Sequence, residues 1–280
     1  MDYVDGTFQT RDVYEALEAD TKQKKNNVRT GLFREAKAGT IEGLGKYGSW
    51  RKVDDCVSWE DVTKIDGDLP KGLGIKLPMG LGSEIPIYPG DLIVIAGVKS
   101  CGKSAFALET VVKNQNQEIL YFSSELTKQS IQKRANDEEP KVDLGYLSHM
   151  KFAKRFQGNF HDVVEPGKIN IIDYLSPPVK GDESMYFSIP AKLEQIHNKL
   201  DGSGIAIVCL QKDPGKTSGD GGPKTRHKAN IYITLDQSKG TNMHWLNIQV
   251  CKVRPLIEGF KKQYGPQPFS LKSRSDLLPP

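Results

Sequence analysis

One eight-residue stretch constrains this 280-residue chain more than any other part of its sequence. It reads G-x-x-x-x-G-K-S and consists of Gly97, Val98, Lys99, Ser100, Cys101, Gly102, Lys103 and Ser104. The apolar run before it, residues 92–96, is typical of a strand buried on both faces, and the pattern over residues 105–112 continues as a helix. A strand, a glycine-rich loop and a helix in this order point backbone N–H groups at phosphate oxygens. The stretch therefore predicts a nucleoside triphosphate site; the alternative is a glycine-rich turn without a ligand.

Two side chains of this phosphate loop have separate expected roles. Lys103 places a cation against the β- and γ-phosphates, and the Ser104 hydroxyl is a ligand for Mg²⁺. The glycines allow the backbone to bend closely around the phosphates.

Composition excludes several other classes of protein. The longest apolar runs have the length of a strand, far below the roughly 18 residues of a membrane span, and the acidic N-terminus does not resemble a secretory leader. The four cysteines and five histidines are scattered, so that neither a zinc cluster nor a local Ser/His/Asp arrangement is expected. These observations predict a cytoplasmic protein without a membrane partner.

Positive charge is concentrated near the N-terminus. Over residues 21–53 the basic side chains outnumber the acidic ones by seven. Residues 10–19 and 24–38 show amphipathic helical patterns, Gly39 ends the second, and two short strands separated by a glycine turn follow over residues 40–53. We therefore expect a helix-turn-helix with a hairpin wing.

This arrangement resembles the winged helix-turn-helix family of DNA readers over residues 6–60. The resemblance implies duplex binding through the second helix in the major groove and through the wing. The candidate DNA-binding residues are Lys24, Lys25, Asn26, Asn27, Arg29, Thr30 and Arg34 on the helix, with Lys46, Tyr47 and Arg51 on the wing. The alternative is a protein-contact module with a solvated basic face.

Two carboxylates follow apolar strands beyond the phosphate loop. Glu125 comes shortly after the run of residues 118–122, and Asp173 ends the run of residues 169–173. The carboxyl ends of parallel strands meet at one edge of a sheet, so both acids are expected to converge on the loop. A surface or turn role remains the alternative for each. A further apolar run, residues 205–211, ends in Gln211.

These motifs together resemble the RecA-like core of hexameric DnaB-type replicative helicases, and RadA- and KaiC-type ATPases share much of the pattern. The motifs are Pro89-Gly90-Asp91, Tyr121-Phe122-Ser123-Ser124-Glu125, Ile172-Asp173-Tyr174-Leu175, Leu210-Gln211 and Lys252-Val253-Arg254. The resemblance covers residues 86–270. It implies an α/β fold with a parallel sheet flanked by helices, ATP and Mg²⁺ as cofactors, and a homo-oligomer, either a hexameric ring or a filament.

The resemblance also implies roles for individual residues. Glu125 orients the attacking water, Asp173 holds Mg²⁺ with Ser104, and Gln211 senses the γ-phosphate. Lys252 and Arg254 reach the nucleotide of a neighbouring subunit, and such a contact in trans requires an oligomer. For this pair the alternative is a solvated strand face.

The segment 213–228 follows Gln211 and is rich in glycine and positive charge. In the resembling families, loops at this position line a channel for single-stranded DNA, which makes Lys216, Lys224 and Arg226 further candidate DNA contacts. The alternative is a disordered surface loop without a ligand.

The predicted organisation has four parts. Residues 1–60 form the winged helix-turn-helix domain, 61–85 a linker, 86–270 the ATPase domain and 271–280 a flexible tail. The leading hypothesis is an ATPase that oligomerises on DNA and acts as a helicase-like motor or a DNA remodelling or replication protein. The alternatives are an ATP-switched duplex-binding regulator without unwinding activity and a protein-binding ATPase without a nucleic acid.

Overall fold

A computed structural model describes the greater part of the chain. The described residues are 7–45, 48–53, 72–81, 85–137, 143–156, 158–176, 188–237, 244–253 and 261–264. The chain divides into two compact units, Met1–Gly67 and Asp68–Pro280.

The N-terminal unit combines two helices with a three-stranded antiparallel sheet. Its elements are β1 (Thr7–Gln9), α1 (Thr10–Ala16), α2 (Lys22–Ala38), β2 (Ile41–Gly43) and β3 (Ser49–Lys52). The Thr21 hydroxyl caps α2 by accepting a hydrogen bond from Lys24 N at 3.2 Å, and Gly39 ends the helix with a φ of +82°. β3 pairs with both β2 and β1, and β1 is a strand that the sequence did not predict. The element order matches that expected of a winged helix, and the winged-helix assignment itself stays a prediction.

The core of this unit is small within the described residues. Its buried hydrophobic side chains are Ala19, Leu32 and Trp50. Trp50 Nε1 donates to Thr10 Oγ1 at 2.9 Å, and the Phe33 ring meets the Trp50 ring edge-on at 5.6 Å although Phe33 is 66% exposed.

The C-terminal unit is built on one eight-stranded sheet. Its strands are β4 (Leu92–Gly97), β5 (Ile119–Ser123), β6 (Met150–Lys154), β7 (Ile169–Asp173), β8 (Ile205–Gln211), β9 (Ile231–Gln237), β10 (His244–Cys251) and β11 (Lys261–Tyr264). The order across the sheet is β11-β10-β9-β4-β8-β7-β5-β6. β10 and β11 run antiparallel to their neighbours, and the other six strands are parallel.

The position of β4 determines where a ligand can bind. β4 lies between β8 and β9, and the chain visits β5, β6 and β7 before it returns to either neighbour. At such a reversal of strand order, the connections leave in opposite directions and open a crevice at the carboxyl ends of the strands. β4 ends at Gly97, so the phosphate loop begins in this crevice.

Helices cover the sheet on both faces. Ile93 and Ile95 of β4 belong to the cluster that includes α3 (Lys103–Lys113), whereas Leu92 and Val94 belong to the cluster that includes α5 (Ile189–Leu200). α5 buries positions 189, 193, 196 and 200, which is the spacing of one helical face. Two shorter helices are α4 (Lys128–Asp137) and α6 (Thr225–Lys228). The predicted α/β class, a parallel sheet flanked by helices, is confirmed.

Part of the predicted linker belongs to the C-terminal unit. Ile75, Leu77, Leu81 and Ile85 are buried in the cluster that contains α3. Their apolar side chains explain the difference, because each fully buried aliphatic side chain contributes about 1.5–3 kcal/mol. The predicted tail, 271–280, lies outside the described residues. Among the residues that the structure describes, no helix combines the length and the apolar character needed to cross a bilayer.

Candidate functional site

The phosphate loop bends sharply between β4 and α3. Ser100 and Gly102 have φ values of +62° and +92°. A Cβ atom at Gly97 would overlap with the Cys101 sulfur and would lie 3.0 Å from Lys103 Cγ, so this position accepts only glycine without a rearrangement. Lys103 and Ser104 open α3, whose N-terminus carries the partial positive charge that favours an anion.

Lys103 is buried, and its ammonium group forms hydrogen bonds with its own loop and with the end of β8. Its Nζ donates to the carbonyl oxygens of Gly97 and Val98, both at 2.9 Å, and to Gln211 Oε1 at 3.2 Å. These bonds match the three protons of the ammonium group. Phosphate binding must therefore exchange some of these acceptors for phosphate oxygens. The bond to Gln211 brings together two of the predicted site residues.

Asp173 ends β7 and is 1% exposed. Burial raises the pKa of its carboxyl, while hydrogen bonds from Ser104 and Tyr121 lower it. The Tyr121 hydroxyl donates to Asp173 Oδ2 at 2.9 Å. Ser104 and Asp173 thus lie near each other, and together they present hard oxygen ligands of the kind that Mg²⁺ prefers. The residues present fit a magnesium ion bound jointly with phosphate.

The backbone around Glu125 is attached to the end of β7. The Ser123 hydroxyl donates to the Asp173 carbonyl oxygen at 2.8 Å and accepts from the backbone N–H groups of Glu125 and Leu126 at 3.2 and 2.8 Å. Ser124 N donates to the same carbonyl at 3.0 Å. The Glu125 side chain is exposed at this edge. Glu125 and Asp173 therefore lie at adjacent strand ends, with an electrostatic interaction between them.

The segment 213–228 folds back against the site. Asp220 N donates to the Gln211 carbonyl at 2.7 Å, and Gly219 N donates to the Tyr232 hydroxyl at 2.8 Å. A Cβ at Gly219 would lie 2.8 Å from Leu210 Cβ, so the backbone packs directly on β8. The segment continues into a short 3-10 helix and α6. The segment that was expected to be a loop is thus folded, because groups of β8 and β9 bind its backbone.

Two charged residues near this segment were not predicted. Lys212 is 1% exposed, and its Nζ donates to the Lys216 carbonyl at 2.7 Å and forms an ion pair with Asp236. Burial, and secondarily the Asp213 carboxylate, raises the pKa of Asp220 to about 6, although Lys103 acts in the opposite direction. Lys216 and Lys224 are exposed, whereas Arg226 is half-buried.

Lys252 lies near the amino ends of the parallel strands, whereas the phosphate loop lies at their carboxyl ends. It follows β10, whose last residue, Cys251, pairs with Ile231 at the start of β9, whereas Gly97 pairs with Leu235 near the end of β9. This separation along β9 is roughly 13 Å. Lys252 Nζ donates to the His227 carbonyl at 3.0 Å. Lys252 is therefore not brought together with the other site residues of its own chain, and Arg254 lies outside the described residues.

The predicted DNA-binding side chains of the N-terminal unit differ in their surroundings. Lys24 pairs with Asp20 at 2.8 Å, and Arg51 pairs with Glu42 at 2.5 Å. Asn27 and Arg34 are exposed on α2. Lys46 and Tyr47 lie outside the described residues.

A tyrosine that sequence reasoning missed holds two more of these side chains. Arg29 Nε donates to the Tyr14 hydroxyl at 2.7 Å, and Lys25 Nζ lies 5.7 Å from the centre of the Tyr14 ring. The Asn26 carbonyl accepts from the Thr30 hydroxyl at 3.0 Å. Tyr14 thus fixes the direction of two cations on α2.

The residues missed in the ATPase core had a weak signal in the sequence. Tyr121 and Ser123 are hydroxyl-bearing residues at alternate positions of an otherwise apolar strand, and they come shortly before Glu125. Alternation places both on one face of β5.

Part of the chain matches the model of a known family. Residues 86–176 match the model of the DnaB-like helicase C terminal domain. No curated protein matches the chain.

Several solved structures are similar to this chain. The RadB recombinase is 14% identical with a TM-score of 0.49, over 64% of this chain and 88% of that chain. A DnaB-like replicative helicase, solved in a study of its interactions with primase, is 18% identical with a TM-score of 0.45, over 63% and 55% respectively. Flagellar accessory protein FlaH from Methanocaldococcus jannaschii is 16% identical with a TM-score of 0.49, over 68% and 93%.

The strand order, the phosphate loop and the family match identify the core. Its β4 carries the loop, β8 lies between β4 and the Asp173 strand, and the match covers the segment from the loop strand to just beyond Asp173. The chain contains a RecA-like P-loop core that resembles the C-terminal domain of DnaB-like helicases.

Proposed function

We propose that this chain is an ATP hydrolase that binds DNA and assembles into a ring or filament, with ATP hydrolysed at the interfaces between subunits. One observation carries the proposal. Lys103, Ser104, Asp173, Glu125 and Gln211 come from four different strand ends or loops, and all lie at the carboxyl edge of the same sheet. Phosphoryl transfer depends on positioning and charge neutralisation, and this set supplies both.

Each group has a defined task in the proposed reaction. The loop amides and Lys103 bind the phosphates, and Lys103 neutralises charge on the transferred group. Ser104 and Asp173 would hold Mg²⁺, which supplies Lewis-acid stabilisation of the phosphate charge when bound. Glu125 accepts a hydrogen bond from the attacking water and orients it. Gln211 exchanges its bond to Lys103 for a bond near the γ-phosphate and passes the change to Asp220 through its backbone.

The position of Lys252 supports action in trans. Lys252 lies near the amino ends of the parallel strands, away from the phosphate loop of its own chain. A contact between Lys252 and a nucleotide therefore requires a second copy, whose loop faces this edge. Arg254 is proposed to share this role.

DNA binding is proposed at two surfaces. The basic residues of α2 and β3 would contact duplex phosphates and major-groove base edges, and Arg34 and Asn27 are exposed on α2 for this purpose. Lys216, Lys224 and Arg226 are proposed to contact a single strand. Because the segment 213–228 is folded and its sequence contains no Phe, Tyr or Trp for base stacking, a second function has support: an ATP-switched duplex-binding regulator that does not unwind DNA.

Replacement of Glu125 by glutamine tests the ATPase proposal. Glu125→Gln keeps the shape of the side chain but removes the base, so ATP should still bind while its hydrolysis falls by about 10²–10⁴-fold. Glu118→Gln is the matched control, because Glu118 lies at the other end of β5 and pairs with Lys151 and Lys168. Ordinary turnover in Glu125→Gln would assign the base to another residue.

DNA assays separate the two proposed functions. The motor predicts ATP turnover that rises with single-stranded DNA and strand separation of a forked duplex. The regulator predicts sequence-selective duplex protection without strand separation. If salt does not weaken binding to random duplex, the basic surfaces do not contact phosphates and both functions are wrong.

A further inference from the structure

The buried side chain of Tyr121, on β5, contacts the carboxylate of Asp173, which is the proposed ligand of Mg²⁺. We infer that Tyr121 is a positioning residue: its hydroxyl fixes the Asp173 carboxylate in the orientation that binds Mg²⁺ together with the nucleotide. The inference rests on the proposed function, since it concerns the same site.

The surroundings of Tyr121 show which group its hydroxyl holds. The side chain is 0% exposed, and its ring packs against Phe152 with the ring centres 6.1 Å apart. The hydroxyl donates to Asp173 Oδ2 at 2.9 Å. A bond from a hydroxyl to an ionised carboxylate is roughly twice as strong as a bond between neutral groups. Tyr121 therefore restricts the rotation of Asp173 without itself reaching solvent or nucleotide.

Asp173 is surrounded on three sides. Ser123 and Ser124 bind its backbone carbonyl, Tyr121 binds the carboxylate from the core, and Ser104 approaches the carboxylate from α3. The two serines fix the backbone and Ser104 is itself a proposed magnesium ligand. Among these four residues, Tyr121 is the one that holds the side chain without a metal task. Partners of this kind behind a metal ligand typically change metal affinity by about 10–100-fold when removed.

The alternative explanation is purely structural: a buried tyrosine hydroxyl requires a hydrogen-bond acceptor, and Asp173 supplies one. Both explanations predict a loss of stability when the hydroxyl is removed. Only the positioning role predicts a change in how much Mg²⁺ the nucleotide requires.

The chain provides a matched control. Tyr232 is also 0% exposed, and its hydroxyl bonds to Gly219 N at 2.8 Å and to Thr225 Oγ1 at 3.0 Å. Its ring belongs to the opposite face of the sheet from Tyr121. Tyr232→Phe therefore removes an equally buried hydroxyl that does not touch Asp173.

The experiment measures binding of a fluorescent ATP analogue to the full chain while MgCl₂ is titrated. In Tyr121→Phe the Mg²⁺ concentration at half-maximal binding should rise on the order of 10-fold, whereas Tyr232→Phe should leave it unchanged. Affinity in EDTA should match the wild type in both variants, which also shows that the loop is folded. Thermal unfolding temperature should fall by similar amounts in both.

A double-variant cycle adds a second readout. If Tyr121 acts through Asp173, then Tyr121→Phe should have no further effect on the Mg²⁺ midpoint in an Asp173→Asn background. An unchanged midpoint in Tyr121→Phe, with Mg²⁺-dependent binding in the wild type, would overturn the positioning role and leave the proposed function standing. Absence of Mg²⁺-dependent nucleotide binding in the wild type would overturn both.

Discussion

The two units of this chain differ most in how they hold their functional side chains. In the C-terminal unit, Leu92 to Ala96 of β4 are all 0% exposed. The candidate site residues lie at or just after the ends of buried strands of this kind. In the N-terminal unit, the described residues include three buried hydrophobic side chains, while Leu17 and Phe33 are 63% and 66% exposed. The chemistry of the core therefore depends on topology, whereas the proposed DNA contacts depend on surface charge. Substitutions should affect the two regions in different ways.

The largest effect is expected from the phosphate loop. Lys103→Ala removes the buried cation and should reduce ATP hydrolysis by at least about 10³-fold. Without ATP, the affinity of the N-terminal unit for duplex DNA should stay within about a factor of two, because Arg34 and its neighbours are untouched. Phosphate release and fluorescence anisotropy measure the two quantities. Equal loss of both would show that the two regions do not act separately.

A single surface charge should have a smaller effect, confined to DNA. Arg34→Ala should lower duplex affinity by several-fold and reduce the salt slope by about one, since one phosphate contact is lost. ATP turnover without DNA should not change. Arg11→Ala is the control, because Arg11 is 81% exposed on α1 and pairs with Glu15. A similar loss in Arg11→Ala would mean that net charge, and not the face of α2, binds DNA.

Asp220, a half-buried acid near the phosphate loop, should make the stability of the protein depend on pH. The pKa of Asp220 is raised from 3.8 to about 6, so the folded state holds its proton more tightly than the unfolded state does. The favourable contribution is complete below pH 3.8 and is lost as the pH rises through 6. Asp220→Asn should therefore raise the free energy of unfolding by about 1 kcal/mol at a pH of about 7.5, after allowance for its partial exposure, and by less at about pH 5. Urea unfolding at both pH values measures this; an equal gain at both would contradict it.

The smallest effect concerns the backbone of α2. Gly31 lies within α2, and a Cβ there would meet no atom within 4 Å. Gly31→Ala should stabilise the helix by about 0.5–1 kcal/mol, seen as slower hydrogen exchange of its amides. Gly39→Ala should do the reverse, because Gly39 has a φ of +82°. If Gly31→Ala weakens duplex binding while slowing exchange, DNA approaches the backbone of α2 at this position.

Local patterns in the sequence predicted the strands of the core and the acids at their ends, but not the order of the strands. The strands of the core are continuous apolar runs, and the rule that ligands bind at carboxyl ends placed Glu125 and Asp173 beside the loop. The position of β8 between β4 and β7 depends on contacts distant in sequence, so it was not predictable from local pattern. The hydroxyl bond of Tyr121 to Asp173 spans 52 residues and depends on that order.

At both predicted DNA surfaces, contacts between separate elements give the structure features that composition alone did not predict. The segment 213–228 has the composition of a loop, yet the Tyr232 hydroxyl from β9 binds its backbone. The pairing of Arg51 with Glu42 follows from the register of β2 and β3, which puts the two residues opposite each other. A count of charges along the chain contains neither contact.

ATP hydrolysis as proposed requires that a nucleoside triphosphate with Mg²⁺ binds in the bend from Gly97 to Ser104, on the side where β7 and β5 carry Asp173 and Glu125. A crystal structure of the full chain grown with a non-hydrolysable ATP analogue and MgCl₂ tests it most directly. We expect Lys103 Nζ to leave the carbonyls of Gly97 and Val98 for phosphate oxygens, and Mg²⁺ to lie beside Ser104 and Asp173. A loop without nucleotide at millimolar analogue, with Lys103 still bound to those carbonyls, would contradict it.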